Sequence, residues 1–148
     1  PTGLGLVFAG TVFVVCAASG MAPRLAGRFG DKPVALAGMV IAAIGGLLLM
    51  GFAAAPGIGL YTAGIVIFLL GMGLANPLAT ARTLQPFGRQ AGLAAARLGF
   101  LQMAAAALGS WAISVLPVDA GTALALIVLG AALGAVAIFL PVPRAKPA

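Results

Sequence analysis

The sequence predicts an all-α integral membrane protein with five transmembrane helices. Three observations carry this. Of 148 residues, 63% are hydrophobic and 7% are charged, with a mean hydropathy of +1.22. A soluble domain carries about 25% charged residues, so this chain lacks the polar surface to cover a globule in water. Five apolar runs reach the roughly 20 residues a helix needs to cross about 30 Å of hydrocarbon. All eight basic residues fall in, or close to, alternate connectors between those runs or in the tail after the last.

Each run reads as a helix because backbone polar groups in lipid must be satisfied within the segment. A membrane β-barrel would alternate apolar and polar residues, and these runs do not. The first covers 3–23, "GLGLVFAGTVFVVCAASGMAP". The second covers 33–55, and its Pro33 fits a first helical turn, where the missing N–H has no intrahelical acceptor to lose. The third, 58–81, follows "APG" and carries Asn76-Pro77 toward its end. The fourth, 92–116, follows "QPFGRQ", and the fifth, 121–140, follows "PVDAG". The connectors are short and rich in Gly and Pro, so adjacent helices are expected to run antiparallel.

Antiparallel threading puts the charges on one side. Arg24, Arg28 and Lys32 lie between helices one and two. Arg82 and Arg89 lie between three and four, with Arg97 just inside the fourth, and Arg144 and Lys146 follow the fifth. The opposite connectors hold no Lys or Arg and one acid, Asp119. Basic loops stay cytoplasmic, so the expected topology is N-terminus outside and C-terminus inside, multi-pass in the inner (plasma) membrane. Tyr61 and Trp111 then fall at the outer interface, where an aromatic belt is expected.

Composition also excludes. The net charge of +6 comes from scattered residues that form no stripe, so nucleic acid is not an expected partner. There is no His, and two acids, Asp31 and Asp119, are too few for a metal cluster or paired-carboxylate catalysis. No enzyme activity and no cofactor are expected. The single Cys16 sits among apolar neighbours and reads as a packed, inert thiol. The opening "PTGLG" has no basic n-region and reads as the interior of a longer protein, not a signal peptide.

"GMAPRLAGRFGDKPVALAGMV" resembles the loop motif of the major facilitator superfamily, G-x-L-x-D-R-x-G-x-R. Leu25, Arg28, Gly30 and Lys32 match its fixed positions and Phe29 and Pro33 extend the likeness, whereas Pro23 and Gly27 stand where the motif has Gly and an acid, and Asp31 puts an acid directly after the second Gly. Arg24, Arg28, Gly30, Asp31 and Lys32 form the corresponding cytoplasmic turn, with Gly30 free to be left-handed and the basic residues able to cap helix C-termini. Residues 71–103 are similar to helices ten and eleven of the Bcr/CflA drug-efflux branch, through Gly73-x-x-x-Pro77, "QPF" at 85–87 and "AGLAAARLGFLQ" at 91–102. "GLVFAGTVF" resembles that branch's eighth helix. The resemblance implies helices eight to twelve, a partial C-terminal half of the fold. It implies part of a proton-coupled exporter of small apolar or amphipathic molecules that works by alternating access beside a missing N-terminal half. Two readings stand beside it: a separately encoded or truncated module that needs a partner half, and an unrelated five-helix membrane protein.

The candidate substrate pocket comprises Asn76, Phe100, Gln102 and Met103. Pro77 is either a hinge or a static kink. Gln102 is a substrate-facing amide or an interhelical hydrogen-bonding group. Arg97 either binds an anionic group or a lipid phosphate or, as such arginines more often do, snorkels to the interface. Gly130-x-x-x-Gly134 reads as a close-packing face.

Overall fold

The computed structural model describes residues 2–54 and 57–140. These residues form α1 (Thr2–Phe29), α2 (Asp31–Ala54), α3 (Ile58–Leu84), a 3₁₀ segment (Gln85–Gln90), α4 (Ala91–Val115) and α5 (Ala120–Phe139). No strand occurs among the described residues. Arg144 and Lys146 lie outside them.

Four helical stretches are long and apolar enough to cross a membrane. The third, Gly59–Val115, runs 57 residues, about 86 Å at 1.5 Å per residue and far more than one crossing requires. It contains both α3 and α4. The break between them falls at Gly88, whose φ of 39° and ψ of −110° no helix contains. Most helix ends sit within three residues of the expected positions. The main difference is at α1, where "RLAGRF" continues the helix to Phe29, so the connector to α2 shrinks to Gly30. Its φ of 90° needs a glycine, because a Cβ there meets the neighbouring carbonyl.

The seams are built from the smallest residues, as expected where lipid outside is as apolar as protein inside. Among the described residues every buried one is an alanine or a glycine except Val34, Leu49 and Leu78, and no large side chain is fully buried. On the α2–α3 seam, a Cβ added at Gly38 would stand 2.7 Å from Gly71 O and 2.8 Å from Ala75 N. One at Gly45 would collide with the backbone of Phe68, and one at Gly71 with the backbone of Gly38 and Ala42. Numbers rise along α2 as they fall along α3, so the pair is antiparallel. The adjacent glycine serves a second seam: a Cβ at Gly46 would lie 3.0 Å from Leu129 Cα on α5. Ala42 and Ala43 meet Ala132 further along. This seam is also antiparallel, and α2 becomes the shared central helix.

On α1, Ala22 and Ala26 pack with Val34, Ala35 and Leu78, under Leu25, Leu74 and Phe139. Hence α1, α3 and α5 run one way and α2 the other. The C-terminal ends of α1, α3 and α5 share one end of the bundle with the Gly30 turn. α4 starts from that end and finishes at the N-terminus of α5, at the other end.

Two packing expectations are corrected. Gly130 and Gly134 face open space among the described residues. α5 turns Leu129 and Ala132 toward α2 instead, because two glycines at helical spacing make a seam only where another helix approaches. Cys16 is exposed. Its apolar neighbours follow from α1 being apolar all round, which does not imply protein contact for any one residue.

Candidate functional site

The candidate site lies where α1 crosses α3. Pro77 has no N–H, so the carbonyl of Gly73 four residues earlier loses its helical partner. An orphan carbonyl in lipid must find a donor elsewhere. Ser19 of α1 supplies it: its Oγ donates to Gly73 O at 3.1 Å. The glycine makes this possible, since a Cβ at Gly73 would stand 2.8 Å from Ala18 Cβ and 3.1 Å from Val15 O. The Gly73-x-x-x-Pro77 spacing thus has a mechanical meaning. The proline frees a carbonyl, and the glycine admits the helix that satisfies it.

α1 repeats the device. Pro23 lies inside the helix, four residues after Ser19, so Ser19's own carbonyl is the one it frees. Two proline-interrupted helices therefore meet at one serine. Beside this crossing runs a groove of about 330 Å³ lined by Ser19, Met72, Gly73, Asn76, Pro77 and Thr80, among others. Its polar groups are a serine and a threonine hydroxyl and an amide, all uncharged. Such a lining suits a small, uncharged, partly apolar ligand. A second groove on the same helix pair, lined by Phe13, Met21, Leu25, Leu70 and Leu74 among others, is wholly apolar.

The sequence-derived pocket is only partly assembled. Asn76 and Pro77 line the first groove. Phe100, Gln102 and Met103 do not join them. They stand on α4, with Phe100 73% and Met103 70% exposed, and Gln102 is exposed as well. No residue of α4 is buried among the described residues. Arg97 faces the junction with α3, in a cleft with Thr83, Phe87, Gln90 and Leu101. Ser19 was missed by sequence reasoning. Its signal was a hydroxyl four residues before a helix-internal proline.

The basic cluster gathers at one end, as the charge pattern requires. Arg28 occupies the last turn of α1 and Arg82 the last turn of α3, where a cation meets the negative end of the helix dipole. Lys32 Nζ donates to Leu140 O at 2.9 Å, closing the C-terminus of α5. Asp31 opens α2, where an acid is favoured. Arg24 is exposed one turn before Arg28. At the opposite end Asp119 caps α5, accepting from Thr122 N–H at 2.9 Å and from Thr122 Oγ1 at 2.7 Å. The Thr122 backbone N–H, then its hydroxyl, holds the Asp119 carboxyl below its ordinary range. Among the described residues no three His, Cys, Asp or Glu side chains cluster as a metal site would need.

No protein-family model matches the chain, and neither a curated protein nor a solved structure is found similar to it.

Proposed function

We propose that this chain is part of a proton-coupled exporter of small apolar or amphipathic molecules, and that it crosses the membrane five times. The observation that carries this reading is the Ser19–Gly73 hydrogen bond at a carbonyl released by Pro77. A helix broken by proline and held by a single exchangeable bond can bend without stranding a polar group in lipid. Alternating access needs such helices beside a ligand-sized groove. The alternation of helix direction, the basic residues at one end, and the loop-motif and efflux-branch resemblances support the same reading. In this reading Arg24, Arg28, Gly30, Asp31 and Lys32 form a cytoplasmic turn, and the N-terminus lies outside the cell's inner membrane. Asn76 binds substrate, with Phe100, Gln102 and Met103 closing on it from α4, and Pro77 is the hinge.

A second reading is favoured by α4. Leu108 and Trp111 are 66% and 64% exposed beside Phe100 and Met103, so much of this helix's apolar surface has no neighbour among the described residues. A module that works only beside a partner half would look like this. Reading the coding sequence upstream of Pro1 separates the two.

Topology is tested by single cysteines at positions 29, 57, 90 and 118, exposed sites beside the turns, in a Cys16→Ser background, with an impermeant thiol reagent applied outside. Labelling confined to 57 and 118 is expected. Labelling at 29 or 90 sinks the five-span arrangement. Transport is tested with the full reading frame in proteoliposomes, by following a lipophilic dye under an imposed pH gradient. Dye movement that ignores the gradient removes the proton-coupled reading.

A further inference from the structure

We infer that Arg82, at the shared end of α3 and α5, binds the phosphodiester of an anionic membrane lipid. Arg82 sits in the last turn of α3. Its guanidinium lies over the Phe139 ring, 5.8 Å from the centroid. Its Nη1 is sealed from solvent and has no hydrogen-bond partner. A guanidinium cannot shed its charge, and a buried charged donor without an acceptor is strongly unfavourable. The chain itself offers little to correct this. Only two acids exist, and Asp119 is committed to the opposite end. Asp31, in the first turn of α2, gives Nη1 no acceptor.

An acceptor from outside the described residues would complete Nη1, and an anion matches the guanidinium's charge as well as its donors. Its position selects the kind. Arg82 lies near the end of an apolar helix, at the depth where headgroup phosphates begin, and this step rests on the membrane-spanning reading. The side chain is only partly buried, so part of it faces outward, where a phosphate can approach. Two phosphate oxygens match the two parallel N–H groups of a guanidinium. Lys32 lies against α5's last carbonyl, one residue from Phe139, so a second cation shares the patch. Phe139 belongs to the packed cluster at that end, with Ala22, Val34 and Leu78. It gives an acyl chain an apolar wall directly below the charge.

The test uses the full chain in nanodiscs of phosphatidylcholine, with and without phosphatidylglycerol. Native mass spectrometry counts retained lipid, and a melt reads stability. Wild type is expected to retain phosphatidylglycerol and to melt higher with it. Inorganic phosphate added to phosphatidylcholine discs is expected to do neither. Arg82→Gln is expected to bind the lipid about tenfold more weakly, and Arg89→Gln, on the exposed 3₁₀ segment, to bind as wild type does. If Arg82→Gln does not fold, Arg82→Lys keeps the charge without the fork, and several-fold weaker retention is expected. Undiminished retention in these Arg82 variants overturns the site, and so does a full stability shift from inorganic phosphate alone. Resistance to carbonate extraction reads membrane insertion separately, so its failure is not confused with loss of the lipid.

Discussion

Replacing Gly71 by alanine adds one methyl group to the α2–α3 seam, and the structure sets the consequence. The new Cβ would collide with Ala42 N and Gly38 O, and would stand 2.9 Å from Ala42 Cα. All three are backbone atoms of a helix, so no side chain can swing aside. Restoring ordinary carbon contact near 3.5–4.0 Å requires the helices to part by about 1 Å. A gap of that size forfeits roughly a quarter to a half of each dispersion contact along the seam. Overpacking of this kind costs about 1–3 kcal/mol, and immobile neighbours argue for the upper part of that range. For a chain of this length about 2 kcal/mol lowers the melting midpoint by roughly 4–8 °C. Gly134→Ala is the matched control. It meets nothing within 4 Å and gains helix propensity, so it is expected to be neutral or mildly stabilising. The assay is the melting midpoint of detergent-solubilised protein, read by size exclusion of a fluorescent fusion at one fixed heating rate. If Gly71→Ala melts with wild type while Gly134→Ala falls, the seam assignment is refuted.

Three further outcomes follow from the same geometry. Ser19→Ala is expected to lose about 0.6–1.7 kcal/mol, the range for interhelical hydrogen bonds in membranes. In a Pro77→Ala background the penalty should vanish, because residue 77 regains an N–H for Gly73 O; a double-mutant cycle with no coupling contradicts the kink model. Gly30→Ala forces a φ of 90° on a residue with a Cβ and is expected to cost about 1–2 kcal/mol, measured by the same melt. Asp119→Ala is expected to lower the midpoint at neutral pH. The capped carboxyl titrates below its unfolded value, so its contribution is present above that value and lost as pH falls through the folded one. Wild type and variant should therefore converge in acid, and a gap that persists there points to another cause.

The helices, the breakers and the charged end were legible because each has a local cause. Proline, glycine at positive φ and a long apolar run constrain the chain wherever they occur. Gly30 is the clearest case, since the turn it makes depends on its own backbone. The seams were not legible. Apolar residues encircle α3 and α4, so hydrophobic periodicity names no inward face. Gly38, Gly45 and Gly71 look no different in sequence from Gly130 and Gly134, yet only the first three have a helix against them. The candidate site divides the same way. Pro77 and Asn76 could be singled out from the third run alone. Ser19 acquires its role only from the approach of a helix more than fifty residues later in the sequence.

The back-to-back pair Gly45 and Gly46 also sets a timetable for assembly. Gly45 faces α3, the next helix to be synthesised, so on the membrane-spanning reading the α2–α3 hairpin can close soon after both are in the bilayer. Gly46 faces Leu129 on α5, about eighty residues downstream. At about 5–20 residues per second, translation leaves that second face against lipid for roughly 4–16 s. A glycine face tolerates the wait, because its backbone bonds are satisfied within the helix and it exposes no polar side chain. Arrival of α5 then displaces lipid from a groove already shaped to receive it.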